Sequence, residues 1–381
     1  MSSEPYVSVA FVNRNDGYGG DLEVRIEKFI EYYASYVRRW PRLLEFVICD
    51  WNPPEDRPRL PDAFPWNELG DVTHVEVPHE YHAPIAGTRG RKMLDYIGRN
   101  VAIRRGRGIF SLVLNQDIFV SRSILELIAQ RNLSKLHFYR ADRCDFDFAP
   151  CRDVPADRFE NAALDTVFFV HRRHRSSKEP ISLPATKTML ADIGSGPEPG
   201  DHFEKDTGVI LCKAASRERR RDGWRGRLNL NWFRGQRAWR KSYFHSWYYQ
   251  KFFLHTNASG DFILAPRKAF FDVHGMPETT QFYMHLDTYA IVQLFAAGYE
   301  QAVFAQPHRV YHADHDRSGR ADFKEAITFQ EHEVELSKVL RGERSYRLND
   351  SDWGLANLPL PSRRVDPLGA EALTRMAQQP N

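Results

Sequence analysis

Along the first 120 residues the apolar positions alternate between two periods. Val7 to Val12 is a nearly unbroken apolar run, the pattern of a strand buried on both faces, and it ends in the polar, glycine-rich loop Asn13 to Gly20. Leu22, Ile26, Phe29, Ile30 and Tyr33 then recur at helical spacing. Glu45 to Cys49 predicts a second strand, stopped by Asp50-Trp51-Asn52-Pro53-Pro54, because proline continues neither element. Val72 to Val77 alternates as a third strand, and Leu94, Ile97, Val101 and Ile103 give an inner face to a helix over 93–105. Ile109 to Leu114 is the most strand-like stretch of all; it runs directly into Asn115-Gln116-Asp117, and a second apolar run follows. Alternation of this kind predicts a parallel-type α/β sheet with right-handed crossovers. Ligands of such sheets bind just beyond the carboxyl ends of the strands.

The texture changes near residue 145. From there to 255 the chain is rich in Arg, His, Pro and aromatic residues and has little clean periodicity. α/β character returns with a strand over Asp261 to Ala265, helices over 267–273 and 286–297, and a short strand at Ala302 to Phe304. A charged surface helix is expected over 320–341, and the proline-rich tail from Leu358 reads as an arm or a disordered segment. The expected divisions are therefore 1–144, 145–255, 256–316, 317–357 and 358–381, without internal repeats.

Composition narrows the class. With 381 residues, 42% hydrophobic and 13% aromatic, the chain can bury a sizeable core and does not resemble a disordered protein. No apolar run approaches the roughly 20 residues of a membrane-spanning helix. The opening MSSEPYVSVAF lacks a basic region followed by a long apolar one, so a cytoplasmic location is expected. Cys49, Cys144, Cys151 and Cys212 have no C-x-x-C spacing, which suits reduced thiols without structural zinc.

Net charge is only +3, but it is unevenly distributed. Residues 217–251 hold 11 Lys/Arg against Glu218 and Asp222, a local +9 that leaves −6 for the rest. The same region carries Trp224, Trp232, Trp239 and Trp247. Interleaved Arg and Trp could grip a sugar–phosphate acceptor, lie at a membrane interface, or stack on single-stranded nucleic acid. The last fits least, because no nucleic-acid recognition motif is present. The plain alternative is an Arg-rich surface whose aromatic residues belong to the core.

The triplet Asn115-Gln116-Asp117 sits at a strand end, where an acid-x-acid-like pattern can offer oxygen ligands to a divalent cation and, through it, to a diphosphate. Its plain alternative is a polar turn. Gly17-Tyr18-Gly19-Gly20 fits neither a dinucleotide nor a P-loop fingerprint.

Together these features resemble a glycosyltransferase of the GT-A fold, nearest to the large inverting family 2 of bacterial enzymes. Four segments carry the resemblance: Val7 to Asp16; Asp50 after the second strand; Asn115-Gln116-Asp117 in place of Asp-x-Asp; and Gly260 to Leu264 through Val273-His274-Gly275-Met276-Pro277-Glu278 to Leu286-Asp287. The resemblance implies a Rossmann-like mixed sheet flanked by helices. Residues 1–144 become the nucleotide-sugar-binding half, 145–255 a basic aromatic insertion facing acceptor or membrane, and 256–316 the acceptor-side half. A helical extension and a proline-rich tail follow. It implies Asn13, Arg14, Asp16, Asp50, Asn115 and Asp117 as donor-binding residues, with the glycine loop as a flexible turn near the base. Asp261, Gly275, Glu278, Trp232 and Trp239 become acceptor-side residues. Asp287 becomes the base that takes the acceptor hydroxyl's proton, its alternative being an ordinary first-turn acid. A divalent metal, Mg²⁺ or Mn²⁺, would bind Asp117 and His312, with His312 preferred over His315 and a pair of surface histidines as the alternative. Two departures matter: Asn115 and Leu286 stand where the family has acids. The implied partners are a nucleotide-diphosphate sugar and a glycan or lipid-linked acceptor, with peripheral membrane contact and no nucleic acid. A catalytically silent glycan- or lipid-binding scaffold on the same fold is the competing reading.

Overall fold

The computed structural model describes residues 4–86, 90–173, 176–178, 201–204, 208–211, 254–280, 286–316 and 329–365. The basic segment 217–253, with Trp232 and Trp239, and also His285, lie outside the described residues.

Fifteen described strands form two sheets. In chain order they are β1 (Val7–Asn13), β2 (Leu44–Trp51), β3 (Val72–Val77), β4 (Phe110–Val113), β5 (Ile118–Val120), β6 (His137–Arg140), β7 (Asp142–Phe146), β8 (Val167–His171), β9 (Ser176–Lys178), β10 (His202–Glu204), β11 (Val209–Leu211), β12 (Ile263–Pro266), β13 (Glu300–Phe304), β14 (Arg309–Ala313) and β15 (Ser362–Val365). The large sheet runs β10-β11-β13-β6-β12-β4-β1-β2-β3-β15, and the small one β5-β14-β7-β8-β9. In the large sheet β4, β1, β2 and β3 are mutually parallel, whereas β12 lies antiparallel between β4 and β6. The expected α/β class, a mixed sheet flanked by helices, is what the chain adopts.

The apolar run of β1 is continuous because both of its faces are covered. Val7, Val9 and Phe11 pack in one core with the helix Leu22–Arg39, while Ala10 and Val12 pack in a second core with the helix Asp95–Arg105. From β1 the chain adds β2 and β3 on one side and β4 on the other, so the strand order reverses at the β1/β4 junction. A crevice opens at the carboxyl end of such a junction. At the same end the chain passes from the large sheet to the small one three times, at β4 to β5, β6 to β7 and β13 to β14. Asn115-Gln116-Asp117 forms the first of these corners. The helix Leu22–Arg39 holds it from behind: Tyr32 Oη donates to the Val120 carbonyl (2.6 Å), and Tyr33 Oη bonds the Ile118 carbonyl (3.1 Å) and the Val120 amide (3.0 Å).

Three regions depart from the sequence reading. β7 (Asp142–Phe146) runs across the expected division at 145, and 145–173 is ordered α/β structure with the helix Ala156–Asp165. Its apolar residues are split among short strands, which blurs the period. The Asp261 to Ala265 strand starts later, at Ile263, because Ser259–Asp261 is a tight helical turn. Finally, Ser362–Val365 of the proline-rich tail pairs antiparallel with β3 at the sheet edge, so the start of the tail belongs to the fold. That strand is held by charge as well as by its backbone ladder: Arg364 pairs with buried Asp71 (3.0 Å) and Arg363 with Asp62 (2.5 Å).

The segment after Val273 is a structural bracket. Gly275 has φ +74°, and a Cβ there would come within 2.5 Å of Trp353 and 2.6 Å of Asn100 Oδ1. Glu278 Oε1 accepts from Asn100 Nδ2 (3.0 Å) and from the Gly354 amide (2.6 Å), tying the C-terminal extension to the helix Asp95–Arg105. Burial pushes the Glu278 carboxyl up to about 7 despite those donors. An acid whose folded pKa is raised contributes stability below its unfolded pKa, and that contribution is lost as pH rises through the folded value. Glu278→Gln keeps the accepting oxygen but cannot ionise. It is expected to melt higher than the wild type at pH 8, with the gap closing toward pH 5; a gap independent of pH would refute the assignment.

Candidate metal and donor site

Asp117 is the last residue of the corner between β4 and β5 and is locked in place when its carbonyl accepts the Ala313 amide (3.0 Å). That bond sets the β14 segment against the corner. His312 Nε2 then lies 3.8 Å, and His315 Nε2 3.2 Å, from Asp117 Oδ2. One ligand atom from each of the three residues falls within 4.8 Å of the others. The far nitrogen of each imidazole is engaged: His312 Nδ1 bonds Asp145 Oδ1 (3.2 Å) and His315 Nδ1 bonds the Asp316 carbonyl (2.9 Å). With Nδ1–H donating outward, both Nε2 atoms face the carboxylate, the orientation that metal-binding histidines adopt.

Burial alone would raise the Asp117 carboxyl. When the two imidazoles carry their second proton, the hydrogen bond from His315 and the charges of His312, His315 and Arg25 outweigh it and hold the carboxyl well below the ordinary range; a cation would take the place of those protons. Asp117 Oδ1 is nevertheless buried with no hydrogen-bond partner. A buried carboxylate oxygen left unpaired is costly unless something else binds it. One carboxylate and two oriented imidazoles thus fit a divalent cation, and the nitrogen donors favour a transition-type ion over Mg²⁺.

The glycine loop covers this group. Gly19 has φ +75°, and a Cβ on it would approach His315 Nδ1 to 2.7 Å and Arg25 Nη2 to 2.9 Å, so backbone and ring meet at a distance that only glycine permits. Arg25, fully buried on the helix Leu22–Arg39, donates to the Tyr18 carbonyl (2.7 Å), and the Tyr18 ring packs edge-on to His315 at 5.3 Å. The loop expected near a nucleotide base therefore closes on His315.

The other expected donor residues share the same sheet end. Asn13 and Asp50 are direct register partners at the ends of β1 and β2. Asp50 Oδ2 accepts the Leu60 amide (3.0 Å) while Oδ1 is buried without a partner, and burial pushes the carboxyl up to about 6. Asn13 Nδ2, Asn15 Oδ1 and Tyr18 Oη are buried and unpartnered as well. Arg14 bridges Asp16 (2.8 Å) and the Asn52 carbonyl (2.7 Å), which shapes the loop.

Asn115 connects this half to the acceptor side. Its Nδ2 donates to Asp261 Oδ1 (2.8 Å), and its Oδ1 accepts from Arg99 Nη2 (2.7 Å). Arg99 also bonds the Gly260 carbonyl. Asp287, in the first turn of the helix Leu286–Ala296, accepts the Gly260 amide at Oδ2 (2.6 Å) and the Thr288 amide at Oδ1 (3.0 Å). Asp261 pairs with Arg143; burial would raise its carboxyl, but Arg143 and His312 hold it below the ordinary value. The structure thus gathers Asn115, Asp117, Asp261, Asp287 and His312 around one strand-end corner. It instead directs Gly275 and Glu278 to Asn100, Trp353 and Gly354.

Sequence reasoning missed Arg25, Arg99, Arg143, Asp145 and His171, and ranked His315 second. Strand alternation would have put Arg143 and Asp145 on one face. Arg25 and Arg99 sit within helices, where a charge ordinarily reads as solvent-facing.

No family model matches the chain, and no curated protein matches it. Among solved structures the chain is similar to "GalNAc-T7 with UDP, GalNAc and Mn2+", at 12% identity and a TM-score of 0.42, over 92% of this chain and 54% of that one. The chain spans about half the length of that protein. At this degree of likeness the fold rests on the strand order and register themselves. Among the described residues no helix is long and apolar enough to cross a membrane.

Proposed function

We propose that the protein is an inverting glycosyltransferase that moves a sugar from a nucleotide-diphosphate donor to a hydroxyl of a bacterial surface glycan or lipid-linked acceptor. The observation that carries this reading is the row of unpartnered buried polar atoms along the carboxyl ends of β1, β2 and β4: Asn13 Nδ2, Asn15 Oδ1, Tyr18 Oη, Asp50 Oδ1 and Asp117 Oδ1. Buried polar groups are normally satisfied, and this series runs from the strand-end pair Asn13/Asp50 to the Asp117/His312/His315 group. A nucleotide would meet the former and a diphosphate the latter.

Asp117, His312 and His315 would hold a divalent ion, preferentially Mn²⁺, which when bound supplies positive charge for the departing diphosphate. Arg25 adds a fixed buried charge beside the same group. On the acceptor side Asp287 is the candidate base. Two backbone amides, from Gly260 and Thr288, fix the position of its carboxylate at the helix start. Asp261 and Asn115, joined to each other, link the two halves.

Thermal-shift measurements with UDP, GDP, CDP and CMP, with and without Mn²⁺, test the donor half directly. A nucleoside diphosphate should stabilise the protein more when Mn²⁺ is present; no stabilisation by any of the four would overturn the reading. Slow hydrolysis of the matching nucleotide sugar would separate an enzyme from a binding scaffold.

The basic segment suits a cytoplasmic, membrane-peripheral protein. Reversing the charges of Arg219, Arg220 and Arg221 is expected to release the protein from anionic vesicles while donor hydrolysis continues. Wild-type binding should weaken with added salt, because exposed charges are screened beyond about 8 Å at physiological ionic strength. Salt-independent binding, or none, would assign the segment to the core or to a soluble acceptor.

A further inference from the structure

We propose that Asp145 is a positioning residue that selects the metal-binding tautomer of His312; this rests on the reading that Asp117, His312 and His315 hold a divalent cation. Asp145 on β7 is the direct register partner of His312 on β14, and both side chains are buried. Its Oδ1 faces His312 Nδ1 at 3.2 Å. Two further groups hold its position: Arg143, whose Nε lies 2.8 Å from Oδ1 and whose Nη2 donates to Oδ2 (3.0 Å), and His171, whose Nε2 lies 3.4 Å from Oδ2. Arg143 is itself anchored on Asp261, which takes the Asn115 amide.

A neutral imidazole carries one N–H. A carboxylate can only accept, so it keeps that hydrogen on His312 Nδ1 and leaves the Nε2 lone pair directed toward Asp117 and an ion. An amide at position 145 could turn its NH₂ toward Nδ1, which would move the hydrogen to Nε2 and remove the ligand. Outer partners of this kind typically contribute about 10–100-fold in metal affinity. Asp145 touches neither substrate nor metal in this arrangement; it acts through His312. The alternative role, a carboxylate present only to neutralise Arg143, would act on folding alone.

The test is calorimetric Mn²⁺ binding to the full-length wild type, Asp145→Asn, His312→Ala and the double variant, with melting curves in chelator to verify folding. Asp145→Asn should weaken Mn²⁺ binding about 10–100-fold. In the His312→Ala background the same substitution should cause no further loss, since interacting residues are non-additive. The Co²⁺ absorption band of the wild type should change in Asp145→Asn as it does in His312→Ala. If Asp145→Asn does not fold, Asp145→Glu, which keeps a charge beside Arg143 while displacing the accepting oxygen, carries the same cycle. Equal Mn²⁺ affinity in wild type and the position-145 variant, or losses that multiply independently, would overturn the positioning role while leaving the metal site intact. A wild type that binds no Mn²⁺ would overturn both.

Discussion

Asp117→Ala is expected to abolish the Mn²⁺-dependent part of nucleoside diphosphate binding while leaving metal-free binding within a few fold. Asp117 supplies the group's one carboxylate, and its Oδ1 has no protein partner. Removing it leaves two imidazoles and Arg25 facing one another without the anion that balances them. Truncating one partner of a buried charge pair costs about 2–5 kcal/mol, which corresponds to roughly 30-fold to several-thousand-fold in affinity. Calorimetry with and without Mn²⁺ measures the two components separately. Unchanged metal-dependent binding in a folded Asp117→Ala protein would remove Asp117 from the donor site. An equal loss with and without metal would mean that Asp117 shapes the pocket rather than carrying an ion.

Such a result would also bear on what a single sequence can reveal. β1 and β2 were legible because continuous burial leaves a continuous apolar run, β3 because its apolar positions alternate, and the helix Arg267–Val273 because its period and its ends agree. Asp117 was legible because strand ends in α/β sheets are where ligands collect. His315 was less so: its approach to Asp117 depends on the β13-to-β14 corner and on the Gly19 loop, two segments almost 300 residues apart in the chain. Asp145 was hidden for another reason. Its strand belongs to a small second sheet whose short, mixed-polarity segments leave no long run, and its pairing with His312 is a register fact of β7 and β14. Gly275 and Glu278 carried a motif-like pattern, yet their contacts are with Trp353, Asn100 and Gly354. A turn that anchors an extension and a turn that faces a substrate use the same residue types; only the partner distinguishes them.

Asp287→Asn is expected to lower turnover by about 10²–10⁴, the usual worth of a positioned general base, while donor affinity stays within a few fold. Asparagine retains the shape of the side chain and one accepting oxygen, so a backbone amide at Gly260 or Thr288 can still be bonded. What is lost is the second oxygen acceptor and the negative charge, and with them the capacity to take a hydroxyl proton. A group used in the transition state but not in donor binding should reduce kcat and kcat/KM together and spare KM for the nucleotide sugar. Gly260 gives this prediction an internal control. Its amide bonds Asp287 and its carbonyl bonds Arg99, which also holds Asn115. If Asp287 served only to fix Gly260, Asp287→Asn would loosen the Asn115 corner and weaken donor binding along with turnover. Steady-state kinetics beside nucleotide calorimetry therefore distinguishes proton acceptor from anchor. Near-normal turnover in a variant with a native melting curve would move the base elsewhere, and Asp261, on the same turn and bonded to Asn115, would be the next carboxylate to replace.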